Sequence, residues 1–156
     1  MEIKDIGLFI GFAITLGLGI WNAKMNYNTS RRTTYINTVT SQRIKWIEQI
    51  RQDISSFCGL TYNWTVSDME GKPEEQEMLK EIDRLRHVIR LRLNPKGEYD
   101  KVIEDLILEI PKYTHQVHKE KLKGKLDELI IATQLLLKTE WEKVKSESNN
   151  NDIYNI

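Results

Sequence analysis

The sequence holds a single cysteine, Cys58, among its 156 residues. One cysteine cannot form a disulfide within the chain, nor can it build a cysteine-based zinc cluster. Net charge is lacking too, because 23 lysines and arginines balance 23 aspartates and glutamates. This balance shows neither the basic bias that draws proteins to nucleic acid nor an acidic bias. Composition therefore excludes a disulfide-stabilised fold and selects no charged partner.

Catalytic motifs are lacking as well. The chain has no GxxxxGK[ST] phosphate loop, no GxSxG nucleophile elbow and no HExxH zinc motif. His115 and His118, three residues apart, would share one face of a helix and could ligate a metal, but no third ligand is identifiable at a compatible position. We therefore expect a protein that is not an enzyme and that holds neither a metal nor another cofactor.

The longest uncharged stretch runs for eighteen residues, from Ile6 to Ala23. As a helix it would span about 27 Å, close to the thickness of the hydrocarbon core of a bilayer. The residues before it are not cationic and no small-residue cleavage site follows it, which argues against a cleaved signal peptide. We predict a single N-terminal transmembrane helix that anchors the chain in a lipid bilayer.

The charges that flank this run indicate its direction across the membrane. Several cations follow it without an intervening acid: Lys24, Arg31, Arg32, Arg43 and Lys45. Cationic loops stay cytoplasmic, so the pattern favours an N-terminus outside the cell (inner) membrane and a cytoplasmic C-terminal domain. The prediction is a single-pass protein.

Small residues recur at every fourth position of the run: Gly7, Gly11, Thr15 and Gly19. On a helix they would form one ridge, along which the backbone of a second helix can approach closely. This pattern indicates a homo-oligomer associated through the span. The alternative is that glycine is simply common in transmembrane helices.

The rest of the chain has room for one small folded unit. We divide the sequence into a transmembrane anchor (1–25), a juxtamembrane connector (26–40), a helical bundle domain (41–147) and a tail (148–156). The tail is polar and asparagine-rich. Because it has few apolar residues to offset the entropy cost of ordering, we expect it to be disordered.

Apolar residues spaced alternately by three and four predict four helices in the bundle domain, at about 43–64, 74–93, a short segment before Pro111, and 112–146. The stretch RLRHVIRLRL also alternates with period two, as a strand would. Asn94 can cap the third helix, or Gly97 can mark a looser turn before it. The predicted fold class is all-α, a single transmembrane helix followed by an antiparallel bundle of about four helices.

The first bundle helix carries a narrow apolar seam that is a candidate interaction surface. It consists of Trp46, Ile47, Ile50, Ile54 and Phe57. Such a seam can pack against a second copy of the chain or against a cytoplasmic protein partner.

Charges alternate in blocks along the bundle domain. One basic block is a candidate surface for lipid headgroups or an anionic partner: Arg84, Arg86, Arg90 and Arg92. The alternative is that acidic and basic blocks pair between helices and set their register. Aromatic residues are not interleaved with the basic block, so nucleic acid is not an expected partner.

Three strings carry a resemblance: RIKWI at 43–47, LNP at 93–95 and EWEKVK at 140–145. Together they resemble uncharacterised small bacterial or phage proteins that have an N-terminal membrane anchor and a helical soluble domain. The resemblance implies a membrane-proximal role, including defence, and no catalytic residue. We predict a scaffold or adaptor that acts through self-association or a cytoplasmic partner. The alternative is a membrane-disrupting effector, of toxin or phage-defence type, that oligomerises through its glycine-rich span.

Overall fold

The computed structural model describes residues 3–67 and 71–152, with the side chains of 3–6, 8–10, 32 and 148–152 outside the description. It contains four α-helices: α1 (Ile3–Val66), α2 (Glu75–Arg92), α3 (Glu98–Glu109) and α4 (Lys119–Asp152). Two 3-10 turns, Ile110–Tyr113 and Gln116–His118, lie between α3 and α4. The described residues contain no strand, so the all-α prediction is confirmed, and RLRHVIRLRL belongs to α2 except for its last residue, Leu93.

The chain forms two units. The first comprises Met1–Ser41 and Glu147–Ile156, and the second comprises Gln42–Ser146. In the first unit, the predicted connector 26–40 belongs to α1. The physical reason is that neither proline nor glycine occurs between Gly19 and Gly59 to stop the helix.

The predicted span falls partly outside the described side chains, because Ile6 and residues 8–10 are not among them. Within the described residues, no helix is both long enough and apolar enough to span a membrane.

The second unit is a helical bundle with one hydrophobic core. Each of its four helical segments contributes fully buried apolar side chains, among them Ile50, Phe57, Leu85, Ile89, Ile103, Ile107, Leu122 and Leu129. Their three-four spacing places them on one stripe of each helix. Burying these stripes against each other removes the apolar faces from water and holds the bundle together.

Contacts between helices fix the directions of α1, α2 and α4. Trp46 Nε1 of α1 donates a hydrogen bond of 3.0 Å to the carbonyl oxygen of Arg92, at the end of α2. At the other end of this pair, Trp64 borders the same cleft as Leu79, near the start of α2. The two segments are therefore antiparallel. The segments α1 and α4 are also antiparallel, since Arg43 pairs with Glu140 while the nearby charge of Asp127 raises the pKa of Cys58.

A tight turn between α2 and α3 depends on a buried carboxylate. Asp100, only 6% exposed, accepts a hydrogen bond of 2.7 Å from the backbone N–H of Asn94. Gly97 precedes the first residue of α3, whereas Asn94 bonds to the backbone of Lys96 and Gly97 within the turn. Of the two alternatives for this helix start, Gly97 and not Asn94 immediately precedes α3.

The two ends of α4 differ from the prediction. It begins at Lys119 rather than Lys112, because Pro111 lies in a 3-10 turn and His115 has an extended backbone. The His115 ring also accepts a hydrogen bond from the Val117 backbone N–H, at 3.4 Å. At its other end α4 continues to Asp152, beyond Ser146, the predicted end of this helix.

Candidate functional site

The small-residue ridge of the first unit is open to solvent. Gly7, Gly11, Thr15 and Gly19 are all exposed, and a Cβ atom added at any of the three glycines would meet no atom within 4 Å. Thr15 Oγ1 donates to the carbonyl oxygen of Gly11 at 2.8 Å, so the hydroxyl is satisfied within its own helix. The ridge thus leaves room for another helix and exposes no unpaired hydroxyl to it.

Large apolar side chains surround this ridge and are also exposed. Phe12 is 66% exposed and Ile14 is 57% exposed, although the two point to opposite sides of α1. Six more large side chains further along this part of α1 are also exposed: Leu16, Leu18, Ile20, Trp21, Met25 and Tyr27. An isolated helix that is apolar on more than one side lacks the polar face that a soluble surface helix carries.

The candidate interaction seam on α1 is placed mainly inside the bundle. Ile47, Ile50, Ile54 and Phe57 are between 0 and 4% exposed, and Trp46 packs against the same core. The seam is therefore buried within the bundle unit of its own chain. The prediction that the seam is an interaction surface is therefore corrected: its buried side chains belong to the core and are not accessible to a partner.

The candidate basic surface is neutralised by acids of the same chain. Arg84 pairs with Glu81 and Arg86 with Asp83, both at 2.7 Å and three residues apart on α2. The Arg84 hydrogen bond holds the pKa of the Glu81 carboxyl below its usual value.

The other two arginines of this block reach acids on neighbouring helices. The pairs are Arg90 with Glu104 at 3.1 Å and Arg92 with Asp53 at 2.8 Å. Lys125 of α4 makes a similar pair with Glu109 of α3, at 3.3 Å. The charge blocks thus pair between helices, which was the alternative to an anion-binding surface.

The two histidines do not converge with other ligands. His115 supports the 3-10 turn at Gln116–His118, and the His118 ring lies edge-on to Tyr113 with 6.1 Å between ring centroids. Across the part of the chain that the structure describes, no group of three or more histidines, cysteines or carboxylates could hold a metal ion.

A cleft in the bundle unit is a feature that sequence reasoning missed. It has a volume of about 360 Å³ and lies between α1, α2 and the turn that follows α3. Its walls are mostly apolar and include Phe57, Trp64, Ile82 and Ile110. A small apolar cleft with a few polar groups is typical of binding sites for small molecules.

Two residues that line this cleft each hold a buried polar atom with unmet hydrogen-bonding capacity. The hydroxyl oxygen of Thr61 and Nε of Arg86 are buried, and neither has a hydrogen-bond partner among the described residues. Leaving a buried polar group unpaired costs about 1–3 kcal/mol. The only sequence signal for this site was Thr61, a polar residue that continues the three-four spacing of the α1 seam four residues after Phe57.

The single thiol of the chain is buried rather than reactive. Cys58 is 9% exposed, and burial, assisted by the negative charge of Asp127, raises its pKa from 9.0 to about 12. The thiolate is the nucleophilic form, so a raised pKa suppresses reaction with alkylating agents. Cys58 is therefore a core residue and not a candidate nucleophile.

This burial predicts slow alkylation. At pH 8 we expect iodoacetamide to modify Cys58 about 1,000-fold more slowly in the folded chain than in urea-unfolded chain, because three pH units separate the two pKa values. The measurement is the rate of mass gain by mass spectrometry. Equal alkylation rates would contradict the burial of Cys58.

The folded state also keeps the Cys58 thiol proton to higher pH than the unfolded state does. The contribution of this protonated thiol to the stability of the fold is therefore complete below about pH 9 and declines as the pH rises towards 12.

Comparisons with protein-family models, with curated proteins and with solved structures give no match to the chain.

Proposed function

We propose that the chain is a single-pass, membrane-anchored helical scaffold or adaptor, with the run from Ile6 to Ala23 in the bilayer. The observation that carries this proposal is the exposure of apolar side chains on opposite sides of α1, from Phe12 to Tyr27. Such a surface is stable in lipid and unfavourable in water. The bundle unit, by contrast, has its own core and needs no lipid to bury it.

The proposed orientation places the bundle on the cytoplasmic side of the cell membrane. Lys24 and Arg31 follow the run and are exposed, and the Arg31 guanidinium lies 5.5 Å from the centre of the Tyr27 ring. Aromatic and cationic side chains together favour the headgroup region on the cytoplasmic side. We therefore propose that the anchor leaves the bilayer near Lys24.

Self-association through the small-residue ridge is the second part of the proposal. Close approach of two helices requires small residues in register and space above them, and both conditions are met at Gly11 and Gly19. The partner in this association is a second copy of the chain, so the protein is proposed to be a homo-oligomer.

Gly11→Ile tests the ridge. We expect it to lower crosslinking between copies in isolated membranes about tenfold, because the new side chain separates the helix backbones. Asn26→Cys, two helical turns beyond Gly19 and exposed, supplies the crosslinking thiol for oxidation with copper phenanthroline.

The matched control is Gly17→Ile. Gly17 is equally exposed and equally open but lies off the ridge, so its substitution should leave crosslinking unchanged. Equal loss in both variants, or no loss in either, would remove the ridge from the proposal.

The cytoplasmic protein partner is proposed to bind the outer face of α4. The α1 seam is buried, whereas Ile131 and Leu135, four residues apart and therefore on one face of α4, are 57% and 43% exposed. Adjacent exposed apolar side chains are typical of protein interaction sites. This face therefore replaces the seam as the surface offered to a partner.

The competing function is a membrane-disrupting effector that assembles through the same ridge. The open glycine positions of the first unit favour it as much as they favour a scaffold. A span without charged residues forms no polar pore alone, so an effector requires a multimer. Depolarisation of cells on induced expression, read with a membrane-potential dye, identifies the effector, and an unchanged potential identifies the scaffold.

A further inference from the structure

One residue that lines the cleft of the bundle unit, Thr61, has a buried hydroxyl with no hydrogen-bond partner among the described residues. Threonines within helices of this chain commonly donate to the carbonyl oxygen four residues earlier, as Thr15, Thr38, Thr65, Thr133 and Thr139 do. Thr61 differs, because its hydroxyl makes no such bond although the residue is only 1% exposed. Thr61 is a lining residue of the cleft, and its hydroxyl hydrogen has no acceptor among the described residues.

Arg86 supplies a second donor at the same cleft. Its Nη1 atom donates a hydrogen bond of 2.7 Å to Asp83 Oδ1, which holds the guanidinium in place. Its Nε atom is buried and has no hydrogen-bond partner among the described residues. An arginine N–H can only donate, so the group that would satisfy it must be an acceptor.

The charges at the cleft favour a negative acceptor. Lys80 and Arg86 border it with one acid between them, Asp83, which leaves a net positive charge. Hydrogen bonds from arginine to a carboxylate are stronger than those to a neutral acceptor, and a carboxylate offers two oxygens. The apolar walls, which include Phe57 and Trp64, suit a hydrophobic body attached to that group.

We propose that this cleft binds a small organic carboxylate, with the carboxylate accepting hydrogen bonds from the Thr61 hydroxyl and Arg86 Nε and the apolar body lying between α1 and α2. The site lies wholly within the bundle unit. It is independent of the membrane anchor and of association through the ridge. Binding there gives the scaffold a small-molecule ligand.

The test uses the full chain in lipid nanodiscs and three related probes, titrated by calorimetry. The probes are 2-naphthoate, its neutral amide 2-naphthamide, and the cationic 2-naphthylmethylamine, with empty nanodiscs as the blank. We expect 2-naphthoate to bind at least about tenfold more tightly than the amine, with the amide between them. No binding above the blank, or equal binding of acid and amine, would overturn the proposal.

Variants locate the site. Thr61→Val removes the hydroxyl at nearly constant size and should weaken 2-naphthoate binding about fivefold or more, whereas Thr61→Ser should retain it. Arg86→Lys keeps the charge but removes Nε and should also weaken binding.

The matched controls are Thr133→Val and Arg84→Lys. Thr133 is a buried threonine of α4 whose hydroxyl donates a hydrogen bond to the carbonyl oxygen of Leu129. Arg84 is an exposed arginine of α2. Neither residue lines the cleft. Neither control should change the affinity. Unchanged affinity in Thr61→Val and Arg86→Lys, or equal loss in the controls, would place any binding elsewhere.

Discussion

Ile50→Ala is expected to destabilise the bundle by about 2–5 kcal/mol, the usual cost of truncating a fully buried isoleucine. Ile50 is 0% exposed and belongs to the core shared by all four helices. The loss combines the lost burial of the removed carbons with the cavity that they leave. Since small domains are stable by only about 5–15 kcal/mol, a large part of the total stability would be lost.

The measurement is urea unfolding of the chain in nanodiscs, followed by tryptophan fluorescence. Ile44→Ala is the matched control, because Ile44 is an isoleucine on the same helix that is 42% exposed. We expect Ile44→Ala to cost less than about 1 kcal/mol. Similar losses at both positions would contradict the assignment of the α1 seam to the core, and so would an Ile50→Ala variant that loses association without losing stability.

Gly97→Ala is expected to destabilise the bundle by about 2–4 kcal/mol, through overpacking and a disrupted buried hydrogen bond. A Cβ atom at this position would overlap Asp100 Oδ2 and would lie 2.7 Å from Asp100 Cγ. Asp100 cannot turn away without giving up the bond that its other oxygen accepts from Asn94. The cause is lack of space, since the backbone of Gly97, at φ −75°, suits any residue.

Gly59→Ala controls for the removal of glycine itself. Gly59 lies within α1, and a Cβ atom there would meet nothing within 4 Å, so alanine should stabilise the helix by about 0.5–1 kcal/mol. A second check is the double variant with Asp100→Ala. Once the Asp100 carboxylate is gone, Gly97→Ala should cost little further, giving a strongly non-additive cycle. Additive losses would show that the two side chains do not compete for the same space.

The helices themselves were predictable, because their signals are local in sequence. The three-four spacing that places Leu85 and Ile89 on one stripe of α2 is visible without any neighbour. The connector was harder to interpret. Hydropathy changes after Ala23, which suggested a boundary, but backbone conformation does not follow hydropathy. Without a glycine or proline to end it, α1 continues through 26–40.

What covers a surface could not be predicted from periodicity. The spacing of Ile47, Ile50 and Ile54 shows that they share a face but does not show whether another copy or the same chain covers it. For the same reason the arginine block was open to two interpretations. The partners of Arg90 and Arg92, which are Glu104 and Asp53, lie on other helices and become neighbours only when the bundle forms.

The cleft and the turn at Gly97 depend on tertiary placement as well. Thr61 and Arg86 are 25 positions apart in the sequence and border one cleft because α1 and α2 pack antiparallel. Asp100 was visible only as one acid in an acidic block, and its burial follows from the turn that it closes. Local patterns therefore gave the helices, while the polar sites required the packed bundle.

Flotation of cell membranes on a density gradient, after lysis without detergent, tests the membrane anchor most directly. We expect the full chain to float with the lipid fraction and to stay there after an alkaline wash, because Ile6 to Ala23 is held in the bilayer. A variant with Leu16→Lys and Ile20→Lys should float less, since each charge in a span is costly. Recovery of the unmodified chain in the soluble fraction would contradict the account.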